Sequence, residues 1–139
     1  MQRRNATGLG GRVRLGVMLV GPLLTVACDK TTTALDLCHR LSGAGVATNC
    51  RPVAPATGLG SAALERADFD LLEVPEHEGS VYRFQKVADY EKAVDEFAAA
   101  AALVGPNRYG SRKALVFVLV NSDAPSDIAA NAKSIVDAL

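Results

Sequence analysis

The chain has no tryptophan, and its seven aromatic residues are three tyrosines and four phenylalanines. That scarcity leaves no obvious stacking platform for bases or sugars. Nor is there an excess of charge of one sign. Fifteen lysines and arginines face fifteen aspartates and glutamates over 139 residues, which argues against a basic nucleic-acid-binding surface. There are two histidines and no Cys-x-x-Cys, so a thioredoxin-like redox pair has no support. The apolar run near the start, Gly16 to Ala27, is twelve residues, whereas a helix needs about 20 to cross a hydrocarbon core. Gly21 and Pro22 interrupt it, which further disfavours a permanent membrane helix.

What is present begins with that stretch. Arg3, Arg4, Arg12 and Arg14 precede the apolar run, and Cys28, Asp29 and three threonines follow soon after it. A basic flank, a short apolar run and a small residue before a cut is the layout of an export signal. The residues Leu24, Thr25, Val26, Ala27 and Cys28 resemble the lipobox of bacterial lipoproteins. The family most often has leucine where this chain has Thr25, and Ala27 supplies the small residue before the cysteine. The resemblance implies cleavage before Cys28, a lipid on its sulfur, and a protein of the bacterial cell envelope held at a membrane and facing the periplasm or exterior. An ordinary secretory cut after Ala27, or an uncleaved anchor, would use the same residues. The Arg3-Arg4 pair lacks the bulky apolar residues of a twin-arginine signal.

The expected organisation is a signal peptide at residues 1–27, a tether at 28–33 and one domain at 34–139. Removing the signal leaves 112 residues, one small domain. It also leaves eleven basic against fifteen acidic side chains, a formal charge of −4. Cys38 and Cys50 then remain as a pair, and in an oxidising compartment they are expected to form a disulfide.

Periodicity predicts the elements. Ala34, Cys38 and Leu41 repeat at helical spacing before Gly43 and Gly45. Residues 46–53 read as a strand, and Pro52, Pro55, Gly58 and Gly60 as punctuation of a loop. A turn or two of helix is expected at 61–67, strands at 69–74 and 80–85, and a polar connection between these at 75–79. Val87, Tyr90, Val94, Phe97, Ala98 and Ala101 share a helical face. Residues 107–113 read as a polar loop and 114–120 as a buried strand. A last helix is expected from about Asp123, with Ile128, Ala132, Ile135 and Leu139 inward. The whole predicts an α+β domain: a two-layer mixed sheet of three to four strands, helices mainly on one face, with a parallel strand-helix-strand unit across 80–120.

No set of residues forms a recognised catalytic signature. Cys38, His39, Cys50 and His77 have types that suit zinc, but no known ligand spacing. A cysteine paired with His77 for nucleophilic chemistry would need a free thiolate. Glu76, His77 and Glu78 fit a solvated turn. The best remaining candidates are Arg108 and Tyr109 in the loop before the last strand, and Asn121 and Asp123 at that strand's carboxyl end, where open α/β sheets tend to hold ligands. The simpler role for Asp123 is to cap the last helix. No metal and no cofactor is expected. The favoured reading is a lipid-anchored, non-enzymatic binding or scaffolding domain with the membrane and other envelope proteins as partners and no nucleic acid. The alternative is a small-ligand-binding or enzymatic domain with its site at the carboxyl end of the 114–120 strand.

Overall fold

A computed structural model of the chain describes residues 31–55 and 57–139. The signal and Cys28 lie outside the described residues. The order of elements is α1 (Ala34–Gly43), β1 (Ala47–Val53), β2 (Glu65–Leu71), β3 (Glu78–Arg83), α2 (Val87–Ala99), α3 (Ala101–Val104), β4 (Arg108–Ser111), β5 (Val116–Val120) and α4 (Ser126–Asp137). The domain is α+β. Its sheet has five strands in the order β1-β2-β3-β5-β4, and every neighbouring pair is antiparallel.

The first helix is set by local chemistry. Thr33 accepts a hydrogen bond from the Asp36 amide at 3.0 Å, and Asp36 accepts one from the Thr33 amide at 3.3 Å. This reciprocal box satisfies two amides that the first turn leaves without partners. Ala34, Leu37, Cys38 and Leu41 then fall on one buried stripe. Cys38 reaches Cys50 of β1 in a disulfide, with Cα atoms 5.9 Å apart. A closure of this length contributes about 3 kcal/mol in the chain-entropy account.

Alternation divides the sheet. Ala67, Phe69 and Leu71 of β2, Val81 of β3, and Val116, Val118 and Val120 of β5 face α1 and α4 in one core. Tyr82, Phe84 and Phe117 point the other way, onto Tyr90, Ala93 and Phe97 of α2. Phe97 stacks on Phe117 with centroids 5.0 Å apart, and Tyr82 tilts against Phe97 at 5.2 Å. Gly79 lies opposite Phe69 across the β2–β3 pair. A Cβ there would come within 2.2 Å of the Phe69 ring, so only glycine lets that ring lie down on the strand.

Three expectations need correction. First, the sheet has five strands, not three to four. Residues 108–111, read as a loop, form edge strand β4. Its arginine, glycine and serine have the polarity typical of edges, which protein sheets use to discourage further pairing. Second, residues 80–120 do not form a parallel strand-helix-strand unit. The chain leaves β3 through α2 and α3, passes up β4, and turns back through 112–115 into β5, which therefore runs antiparallel to β3. Leu115 closes that turn with φ at 53°, a left-handed conformation uncommon outside glycine and asparagine. Third, the helices do not share a face. α1 and α4 cover one side, and α2 covers half of the other.

Smaller displacements follow the same logic. β2 starts at Glu65, where a helical turn was expected. α4 starts at Ser126 with Pro125 at its N-cap and no side-chain cap, so Asp123 does not cap it.

Candidate functional site

The half-face that α2 leaves open is built from the outward residues of β1, β2 and β3. On β2 these are Arg66, Asp68 and Asp70, alternating with the apolar set. Asp68 is 8% exposed, the sole buried charged residue among those described. It receives Arg66 through two hydrogen bonds, at 2.7 and 2.9 Å, and the Ser80 hydroxyl donates to it at 2.7 Å. Arg66 also lies over the Tyr82 ring, 5.5 Å from its centroid, a distance at which a cation is drawn to the ring face. Burial works against the charge of Arg66, but the hydrogen bond to Asp68 leaves its pKa raised.

Next to this cluster, Arg51 bridges two carboxylates: Asp70 at 2.9 Å and Glu78 at 2.6 Å. Asn49 donates a further hydrogen bond to Asp70 at 2.9 Å. The Asn49 bond first, and the Arg51 bond second, hold the Asp70 carboxyl below its ordinary value. The register between β1 and β2 shifts between Thr48 and Arg51, and Asn49 sits in the left-handed region at φ 52°. Such bulges re-aim side chains, and here the extra residue accompanies the convergence of Asn49 and Arg51 on one carboxylate.

At the carboxyl end of β5, an open groove of about 200 Å³ runs between the start of β3 and α3. Glu78 and Ser80 form one wall, Leu103 and Val104 the other, and Asn121 and Ser122 the end. Leu103 is 86% exposed. Asn121 accepts from the Asp123 amide with its side chain at 2.9 Å and from Asn107 with its carbonyl at 3.0 Å.

The four residues singled out from the sequence do not gather around this groove. Asn121 lines it. Asp123 turns toward His77, with Oδ2 3.8 Å from Nδ1. Arg108 and Tyr109 are neighbours on a strand, so they point to opposite faces of the sheet. Arg108 donates to the Phe97 carbonyl at 2.7 Å, near the carboxyl end of α2 where a cation is favoured. Tyr109 packs against the α1/α4 core, where burial raises its pKa. Among the described residues, no three of His, Cys, Asp and Glu come together to hold a metal ion. Cys38 and Cys50 are joined to each other.

No motif marks the ion-paired cluster in the sequence, but an alternation does. Glu-Arg-Ala-Asp-Phe-Asp-Leu, residues 65–71, alternates polar and apolar after the first pair. This is the pattern of a strand with one charged face. No protein-family profile matches the chain, and comparison with curated proteins and with solved structures returned no match.

Proposed function

We propose that this is a lipid-anchored protein of the bacterial envelope, cut before Cys28, whose single α+β domain binds or scaffolds other envelope proteins. The observation that carries the reading is the cysteine arithmetic. Cys38 and Cys50 form a disulfide, a bond that persists in oxidising compartments. The remaining cysteine stands directly behind the uncharged apolar run and four arginines. An export signal, a bridged domain and a third sulfur at the junction fit one account.

Two features of the domain support a protein partner over a small ligand. The open half-face carries its arginines and carboxylates already paired with one another, a polar surface with an exposed leucine beside it. Arg108 and Tyr109, which a ligand site at the end of β5 would have recruited, are turned to opposite faces and occupied by structural contacts. Among the described residues no helix is long and apolar enough to cross a membrane, so in this reading membrane attachment falls to the lipid.

The test is mass spectrometry of the full chain after expression in a bacterial host, with detergent-phase partitioning beside it. The expected product begins at Cys28, carries an acyl adduct and partitions with detergent, while Cys28→Ala stays in the aqueous phase. Intact Met1 without an adduct would sink the proposal.

A further inference from the structure

Resting on the lipid-anchor reading, we infer that the end of the domain from which the tether emerges is a docking surface for anionic phospholipid headgroups. Cys28 and Thr33, the N-cap of α1, are five residues apart, a span of at most about 18 Å. An acylated Cys28 therefore confines this end of the domain close to the bilayer.

That end carries a second groove, of about 560 Å³, lined in part by Thr31 and Thr32. Its other walls include Arg83 at the end of β3, Lys113 in the β4–β5 turn, and Leu115. Arg83 gives one guanidinium nitrogen to Glu65 at 2.9 Å, while its buried Nε has no hydrogen-bond partner. Lys113 and Lys86 are exposed and make no ion pair among the described residues. Hydroxyls and an exposed lysine are donors suited to a phosphate oxygen.

Apolar groups flank the cations. Leu64, whose amide bonds the Arg83 carbonyl, is 48% exposed, and Val87 is 37% exposed. Lysines beside exposed aliphatics at one edge suit the headgroup layer, where charge meets the lipid surface and short apolar side chains enter the acyl boundary. Acidic groups at this end are mostly occupied: Glu65 by Arg83, and Glu91 by Arg112 at 2.9 Å. Asp36 is engaged in the α1 capping box, and Asp89 in the first turn of α2 opposes the lysines.

The opposite end has the reverse character. Asp70, Glu73, Glu76, Glu78 and Asp123 cluster around the β2–β3 connection and the end of β5, with Arg51 among them. A domain charged in this way is oriented by an anionic surface, its tethered end inward.

Hydrogen exchange on the lipidated full chain tests this, in phosphatidylcholine vesicles with and without added phosphatidylglycerol. The expected result is exchange about fivefold slower for amides of residues 83–87 and 112–115 in the anionic vesicles, an effect of the size one lysine contributes near such a surface. It should disappear in Lys86→Glu/Lys113→Glu, whose changes are exposed and leave the core intact. Equal exchange in the two vesicles, or protection that survives the double substitution, overturns docking. So does equal protection by inorganic phosphate alone, which would mark a free-anion site instead. The acyl mass at Cys28 reports on the anchor separately. If it is absent, the same comparison is made with the chain free beside the vesicles, and equal exchange there again overturns docking.

Discussion

The two faces of this sheet are made from the same strands by opposite means. One face is closed by α1 and α4: apolar side chains of β2, β3 and β5 meet these helices in a core that includes Leu37, Phe69, Val81, Val118 and Val136. The other is divided. Over β3 and β5 it is aromatic and covered by α2, and over β1 and β2 it is an array of arginines and carboxylates that none of the described helices covers. The first face draws its stability from area removed from water. The second holds Asp68 and Arg66 partly out of water by completing their hydrogen bonds, which is a requirement more than a gain, because paired charges gain little over an apolar replacement. The domain's stability therefore lives on the closed face, while the open half-face is where its surface chemistry is displayed.

The largest test of that contrast is Phe69→Ala. The ring is fully buried against Gly79 on the closed face, and its removal leaves a cavity that the backbone of β3 cannot collapse into. The expected loss is about 3–5 kcal/mol, read as a lower urea midpoint with an unchanged denaturant slope. A loss below 1 kcal/mol would mean that the closed face is not the principal core.

A middle-sized effect is expected at Asp68. Asp68→Ala removes the acceptor for three hydrogen bonds and strands Arg66 at a partly buried position, at a cost of about 1–3 kcal/mol. Combining it with Arg66→Ala should restore part of the loss, because the double variant no longer buries an unpaired charge. Simple additivity in that cycle would show the pair to be independent and the open half-face to be ordinary solvated surface.

Much of the closed face was legible in the sequence, and most of the open one was not. Leu37 to Leu41 and Val116 to Val120 announce themselves because a buried helix stripe and a strand packed on both faces each have an apolar period. The β4 strand did not, because four residues reading Arg-Tyr-Gly-Ser carry no such period, and an edge strand has no need of one. Missing it reversed the inferred direction of β5 and turned an antiparallel pair into a parallel unit. The candidate site suffered similarly. Arg108 and Tyr109 adjoin in sequence, but a strand separates neighbours to opposite faces. Arg66, Asp68 and Ser80 are scattered in sequence, and the register that places Asp68 beside Ser80 is a tertiary fact.

The smallest effect sharpens the comparison at its edge. The Asp70 carboxyl is held below its ordinary value, first by Asn49 and then by Arg51. A carboxylate whose folded pKa is depressed contributes stability that is present above its unfolded pKa and is lost as the pH falls through its folded pKa. Asn49→Ala removes the leading cause. It also disturbs a left-handed backbone position, but that penalty is the same at every pH, so the pH dependence isolates the hydrogen bond. The stability gap between parent and Asn49→Ala should widen as the pH rises through the acidic window below the ordinary aspartate pKa, and stay constant above it. Urea midpoints collected across that window measure the gap. A gap that does not change with pH would show that the Asn49 hydrogen bond does not hold the Asp70 carboxyl down, leaving Arg51 as its cause.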